Sequence, residues 1–231
     1  MSLTPDELVT ILLSLKVAIV SVVFSLPVAI GIAYVLARFE FPGKTLLDAL
    51  VHLPLVLPPV VVGFALLALF GRHGPIGAWL EDWFGIVFAF RWTGAALAAA
   101  IMGFPLMVRA IRLSFSAIDR RLETVARTLG GSRIWVFVSV TLPLALPGLI
   151  TGIVLSFARS LGEFGATITF VANIPGETQT LPLAIYTYIQ TPSGDLQALR
   201  LSVIAVVLSV AALIAAEWIA RRKPLLHGSR S

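Results

Sequence analysis

The sequence predicts an all-α, polytopic membrane protein with five transmembrane helices, and three observations lead to this fold class. The 231-residue chain is 58% hydrophobic, and its mean hydropathy of +0.97 exceeds that of ordinary soluble domains. Its apolar residues form five runs, each near the ~20 residues that cross a bilayer. Most of its basic residues lie between these runs and not within them. These features indicate helices embedded in a lipid bilayer.

The five membrane helices are expected within residues 8–220, at about 10–37, 49–70, 92–112, 147–171 and 201–220. The first run is broken only by Lys16, and no basic cluster precedes it, which favours an uncleaved span over a signal peptide. In the second run, Pro54, Pro58 and Pro59 should kink or loosen the first turns. Each run is long enough to span.

The third run has small residues at every fourth position, Ala95, Ala99 and Gly103, which would let another helix approach closely. The tryptophans before it, Trp79 and Trp83, suit a membrane interface. After the fourth run, residues 172–197 are predicted to form an irregular outer segment with a short helix at 183–189. The fifth run ends at a basic cluster, residues 221–223.

The distribution of basic residues predicts the orientation of the chain in the membrane. If the N-terminus is outside, twelve Lys and Arg residues lie on the inner side and only Arg72, Arg91 and Arg200 lie outside. Cytoplasmic loops carry the excess of basic residues in membrane proteins. We therefore expect an outside N-terminus and a cytoplasmic C-terminus. This bias accounts for the net charge of +5 without a nucleic-acid partner.

A polar segment between the third and fourth runs, at residues 120–143, predicts a cytoplasmic helix-turn-helix. Its first half is amphipathic. The helix should end at Gly130 and Gly131, because glycine readily takes the left-handed conformation that ends a helix. Ser132 is placed to cap a second helix that runs toward Pro143.

This segment resembles the EAA loop of ABC importer permeases, which in that family docks into a cleft on the ATPase subunit. The positions that match the spacing of the loop are Ala126, Gly130, Val140, Leu142 and Pro143. The sequence departs from the family pattern at the acid, because Thr124 occupies the usual Glu position and Glu123 lies one residue earlier. Residues 161–171 and 173–192 resemble the molybdate branch of the family. The resemblance covers nearly the whole chain.

The resemblance implies the permease subunit of an ATP-driven molybdate importer in the plasma membrane, or the inner membrane where there are two. Two copies would surround one path, two ATPase subunits would bind the inner loops, and an external binding protein would deliver the molybdate anion. ATP would be consumed by the partner, and no cofactor or metal is expected in this chain. The coupling residues implied are Glu123, Thr124, Ala126, Gly130, Leu142 and Pro143.

The fourth run carries polar residues three or four positions apart, and these share one helix face. The candidates for the anion path are Ser156, Arg159, Ser160, Glu163 and Thr167. Arg159 and Glu163 are four residues apart and are expected to form an ion pair within one helix. The pair is interpreted either as part of the path or as a lock that holds the fourth helix against its neighbours. For Gly148 and Gly152 on the same face, ordinary helix packing is favoured.

Other functions remain as alternatives. A sulfate or tungstate permease of the same architecture is the nearest, because these tetrahedral dianions are similar in shape and charge. An ion-coupled secondary carrier is an alternative of a different class, although no inverted repeat is visible. An enzyme is disfavoured, because no nucleophile motif is present. The chain contains no cysteine and its three histidines lie far apart in sequence, so no metal site is predicted.

Overall fold

The structure, a computed structural model, describes residues 3–221, which form twelve α-helices and one π-helical stretch with no strand. The predicted all-α fold class is confirmed. The helices are α1 (Pro5–Arg38), α2 (Lys44–Val56), α3 (Pro59–Phe70), α4 (Pro75–Phe84), α5 (Trp92–Ala117), α6 (Arg120–Thr128), α7 (Arg133–Val136), α8 (Leu142–Leu144), α9 (Leu146–Leu161), α10 (Gly165–Val171), α11 (Leu181–Ile189) and α12 (Asp195–Arg221). The π-helical stretch, Phe137–Thr141, joins α7 to α8.

Within the described residues, three helices are long and apolar enough to cross a membrane, namely α1, α5 and α12. Two further spans are formed if bent pairs of helices each cross once. The pair of α2 and α3 is bent by 113°, and residues 133–144 are bent by 68° against α9. The chain is polytopic with either number of spans, three or five.

Prolines explain why α2 and α3 are two separate helices and not one kinked helix. α2 ends at Val56, and the N–H of its C-cap residue, Leu57, donates to the carbonyl of Leu53. Pro58 and Pro59 follow and have no N–H to continue the helical ladder, while Pro59 suits the first position of a new helix.

The centre of the fold is formed by α1, α5 and α9. On α5 the predicted small-residue face is confirmed as a contact face, because Ala95 and Ala99 are at most 1% exposed. An added Cβ at Gly103 would collide with Ser156 of α9. On α9, Gly148 and Gly152 also lie close to α5. The packing role favoured for these two glycines is therefore confirmed.

Polar contacts at one end of α1 hold the start of α11 and the first turns of α12. Glu7 is 1% exposed, and its Oε2 lies 3.4 Å from Nη1 of Arg200. Further along α1, the Ser14 hydroxyl accepts a 2.7 Å hydrogen bond from the N–H of Leu181. At the opposite end of α1 lies the loop between α5 and α9, where the candidate site is found.

Candidate functional site

The turn of the candidate coupling loop, residues 120–143, has the conformation predicted from sequence. Gly130 has φ +91° and lies in the left-handed region, directly after α6 and its C-cap Leu129. The Ser132 hydroxyl accepts a 3.2 Å hydrogen bond from the N–H of Trp135 and so caps α7. Both the helix stop and the second cap are confirmed, and the loop has a defined shape.

The outer surface of the loop is apolar, and among residues 3–221 it is left exposed. Leu129 is 82% exposed and Ile134 is 78% exposed. The other large apolar side chains exposed on the loop include Leu122, Val125, Trp135 and Val138. Beside them lies a cleft of about 500 Å³ lined partly by Ala126, Gly130 and Trp135. An exposed apolar patch next to a cleft is typical of a protein-binding surface.

The base of the loop is held by a buried ion pair that links distant parts of the chain. Nη2 of Arg38, at the end of α1, donates a 2.9 Å hydrogen bond to Oε1 of Glu123 on α6. The same oxygen accepts a 2.9 Å hydrogen bond from the Thr141 hydroxyl of the π-helical stretch. Nη1 of Arg38 donates to the carbonyl of Ile118, just after α5. Glu123 therefore ties α6 to α1, and Arg38 ties both to the end of α5.

Burial makes this pair a structural element of the loop. The side chains of Arg38 and Glu123 are only 6% and 10% exposed. Glu123 therefore points into the protomer and away from the exposed apolar surface of the loop. In the sequence, Arg38 is one of the twelve basic residues expected on the inner side, and no sequence pattern points to Thr141. A coupling role for Glu123 stays a prediction, and the structure favours an indirect role through the position of α6.

The other residues implied by the resemblance lie around the same loop. The Thr124 hydroxyl donates to the carbonyl of Arg120 one turn back, and Ala126 lines the cleft. Leu142 and Pro143 begin α8, and the N–H of Leu142 bonds to the carbonyl of Phe137, five residues back. The structure therefore gathers the predicted coupling residues at one end of the fold, while their coupling function stays a prediction.

If residues 120–143 couple the chain to an ATPase, as the resemblance implies, Gly130→Val should lower transport about tenfold, because a left-handed backbone costs an L-residue roughly 1–2 kcal/mol. Within residues 3–221, no heavy atom beyond the adjacent residues lies within 4 Å of a Cβ built at Gly130, so the cost comes from the backbone conformation and not from a clash. Gly130→Asn is the matched control, because Asn tolerates this conformation. Uptake by the two variants is measured after both are shown to bind the ATPase. Equal uptake by Val and Asn would contradict a role for this turn.

The polar stripe of the fourth run packs inside the protomer. Ser156 and Thr167 are 0% and 2% exposed, and Ser160 is 6% exposed. The Ser160 hydroxyl lies 3.0 Å from the hydroxyl of Ser21 on α1. Because α5 and α1 cover this face, a role in lining a path would require α9 to move relative to both helices, and it stays a prediction.

The predicted contact between Arg159 and Glu163 is confirmed, with Nη1 2.6 Å from Oε2. The pair does not lie within one helix, because α9 ends at Leu161. The side chain of Glu163 is 2% exposed and that of Arg159 is 27% exposed. Oε1 of Glu163 accepts a 2.8 Å hydrogen bond from the N–H of Ala166 in the first turn of α10. Glu163 thus joins α9 to α10 through two contacts.

In the described part of the chain, no group of three or more His, Asp or Glu side chains could hold a metal ion. The contacts found at the two candidate sites are hydrogen bonds, ion pairs and helix packing. These arrangements can transmit movement and attract ions.

A protein-family model described as "Binding-protein-dependent transport system inner membrane component" matches residues 13–223. The chain is 61% identical over 221 residues to the molybdenum transport system permease protein ModB of Escherichia coli K12, covering 96% of both chains. It is 56% identical to ModB of Haemophilus influenzae, covering 94% of both. It is 38% identical to the sulfate transport system permease protein CysT of Escherichia coli K12, covering 80% of this chain and 67% of that protein.

Two solved structures have the same fold at low sequence identity. A bacterial ABC transporter involved in the import of alginate matches with a TM-score of 0.75 and 16% identity, covering 96% of this chain and 82% of that chain. An inward-facing MetNI methionine ABC transporter matches with a TM-score of 0.72 and 16% identity, covering 92% and 94%.

Proposed function

Because the chain belongs to the family of binding-protein-dependent transport system inner membrane components, we propose that it is the permease subunit of an ATP-driven molybdate importer. One observation carries the choice of substrate. The relatives named for molybdenum transport are 61% and 56% identical to the chain, whereas the relative named for sulfate transport is 38% identical. A tungstate or sulfate permease of the same architecture remains the alternative.

The exposed apolar surface of the coupling loop supports an ATPase partner. This surface and its cleft would receive the ATPase, and closure of two ATPase subunits on ATP would push two such loops. The buried pair of Arg38 and Glu123 would make each loop move with the inner ends of α1 and α5. ATP is hydrolysed in the partner, and this chain forms the path for the anion and changes conformation.

The assembly that we propose contains two copies of this chain, two ATPase subunits and an external molybdate-binding protein. The complex lies in the plasma membrane, which is the inner membrane in a cell with two, with the N-terminus outside. Three of the basic residues behind this orientation, Arg222, Lys223 and Arg230, lie outside the described residues. The coupling loop is then cytoplasmic, where ATP is available.

Single cysteines in this Cys-free chain test the orientation. We expect His73→Cys and Glu177→Cys to react with an impermeant thiol reagent added to intact cells. Glu40→Cys should react only after the membrane is permeabilised. All three positions are exposed in the protomer, so differences in labelling report the side of the membrane and not burial. The reverse pattern would place the coupling loop outside and overturn the proposal.

Oxyanion-dependent ATP hydrolysis tests the substrate. The complex of this chain with its ATPase and binding protein is reconstituted in nanodiscs, and hydrolysis is measured with molybdate, tungstate, sulfate and phosphate. We expect molybdate to stimulate hydrolysis at the lowest concentration. Stimulation by sulfate alone would support the alternative, and a rate independent of every oxyanion would contradict an oxyanion importer.

A further inference from the structure

The helix α9 has two faces with opposite surroundings. Its serine face, which includes Ser156 and Ser160, is buried against α5 and α1. Its other face contains Thr151, Leu155 and, just after the helix, Gly162, all of which are exposed. These three positions are four and seven residues apart, so they lie on one side. This side is called the open face below.

Two cavities lie along the open face. One has a volume of about 430 Å³, lies between α5 and α9, and is lined partly by Arg109, Thr151 and Leu155. The other has a volume of about 600 Å³ and is lined by Gly162 together with α11 and α12, including Tyr186. In sequence, Arg159 lies between a residue of each cavity. It follows Leu155 of the first cavity by four residues and precedes Gly162 of the second by three.

The charges along this surface are positive. Arg109 is exposed, and Arg159 keeps 27% of its side chain exposed while its partner Glu163 is buried. No acidic residue lines either cavity among the described residues. A passage for a dianion needs a positive potential that admits the ion without trapping it. One exposed arginine and one paired arginine meet this requirement.

We propose that the open face of α9, with Arg109 and Arg159, forms one wall of a water-filled passage for a tetrahedral oxyanion. A second copy of the chain supplies the facing wall. The guanidinium groups offer hydrogen-bond donors to the oxyanion oxygens. The serine face then serves to pack α9 against α1 and α5. This inference rests on the proposed transport function and goes beyond it by assigning the surface that contacts the anion.

The alternative occupant of the open face is lipid, with Arg109 extending its head group toward the membrane surface. The lipid alternative and the passage differ in hydration. A thiol in a water-filled passage ionises and reacts with charged methanethiosulfonates, whereas a thiol against lipid tails does not.

The test measures reaction rates of single cysteines in the whole complex with its ATPase, held in nanodiscs so that both membrane sides are accessible. Thr151→Cys and Leu155→Cys probe the open face. Phe24→Cys is the matched control, because Phe24 is 76% exposed in the protomer but lies on α1. We expect the two open-face thiols to react at least about tenfold faster than the control with a negatively charged reagent.

The charge of the passage is measured by the ratio of rates for a negative and a positive methanethiosulfonate. At Thr151→Cys, this ratio should exceed the ratio measured for a free thiol in solution. Adding Arg109→Gln to the same chain should lower the ratio at Thr151→Cys several-fold. Rates at Thr151→Cys and Leu155→Cys equal to that of Phe24→Cys would overturn the proposal. An unchanged ratio after Arg109→Gln would overturn the role of Arg109. These readouts do not depend on which oxyanion is carried, so they are separate from the ATPase test.

Discussion

Glu123→Ala is expected to remove most transport, although Glu123 does not face the surface that would bind the ATPase. The change leaves the Arg38 guanidinium buried without its carboxylate, and breaking a buried ion pair in this way typically costs about 3–5 kcal/mol. The Thr141 hydroxyl loses its acceptor as well. Because these contacts hold α6 against α1 and the π-helical stretch, we expect the loop to lose its fixed position.

The loss of transport should appear as uncoupling of uptake from ATP hydrolysis, and not only as a lower amount of protein. Uptake and ATP hydrolysis are measured together on complexes matched for ATPase content, and we expect fewer anions imported per ATP. Arg38→Gln should act like Glu123→Ala. The double change of Arg38→Gln with Glu123→Gln removes both charges and keeps hydrogen-bonding groups, so it should recover part of the uptake. Uptake within twofold of wild type for Glu123→Ala would contradict a positioning role.

Arg159→Gln is expected to have the second large effect, because it leaves the Glu163 carboxylate without its ion-pair partner at 2% exposure. Glu163 also accepts from the N–H of Ala166, so the loss extends to the junction between α9 and α10. Both stability and uptake should fall. The experiment measures the thermal unfolding midpoint of the purified permease and anion uptake by the complex.

The double variant of Arg159→Gln with Glu163→Gln separates a path role from a purely structural role. The double variant keeps side chains of similar shape at both positions. Glu163→Gln also retains an oxygen that can accept the hydrogen bond from the N–H of Ala166. We expect the unfolding midpoint and ATPase binding to return toward wild-type values while uptake stays low, since the positive charge beside the open face is gone. Full recovery of uptake would show that the pair only holds α9 and α10 together.

Local features of this chain could be predicted from sequence because they depend on a few neighbouring residues. The left-handed Gly130 and the Ser132 cap follow from the conformational preference of glycine and the hydrogen bond of a serine side chain. The all-α class follows from the apolar runs. The contact of Arg159 with Glu163 was predicted from a spacing of four residues, and it forms although α9 ends at Leu161, between them.

Features that depend on distant parts of the chain could not be predicted in this way. Arg38 and Glu123 are 85 positions apart, and no sequence period relates them. Periodicity placed Ser156 and Ser160 on one face of a helix, but it could not show that α5 and α1 cover this face. The break between α2 and α3 is larger than a kink, because Leu57 is extended and two prolines follow it.

The central claim is that this chain moves molybdate across a membrane when its partner hydrolyses ATP. Accumulation of radiolabelled molybdate is measured in proteoliposomes that hold this chain with its ATPase and binding protein. We predict accumulation that requires ATP hydrolysis, persists in excess sulfate and falls strongly in Glu123→Ala. Accumulation without ATP hydrolysis, driven instead by an ion gradient, or ATP-driven accumulation of sulfate with none of molybdate, would contradict this account.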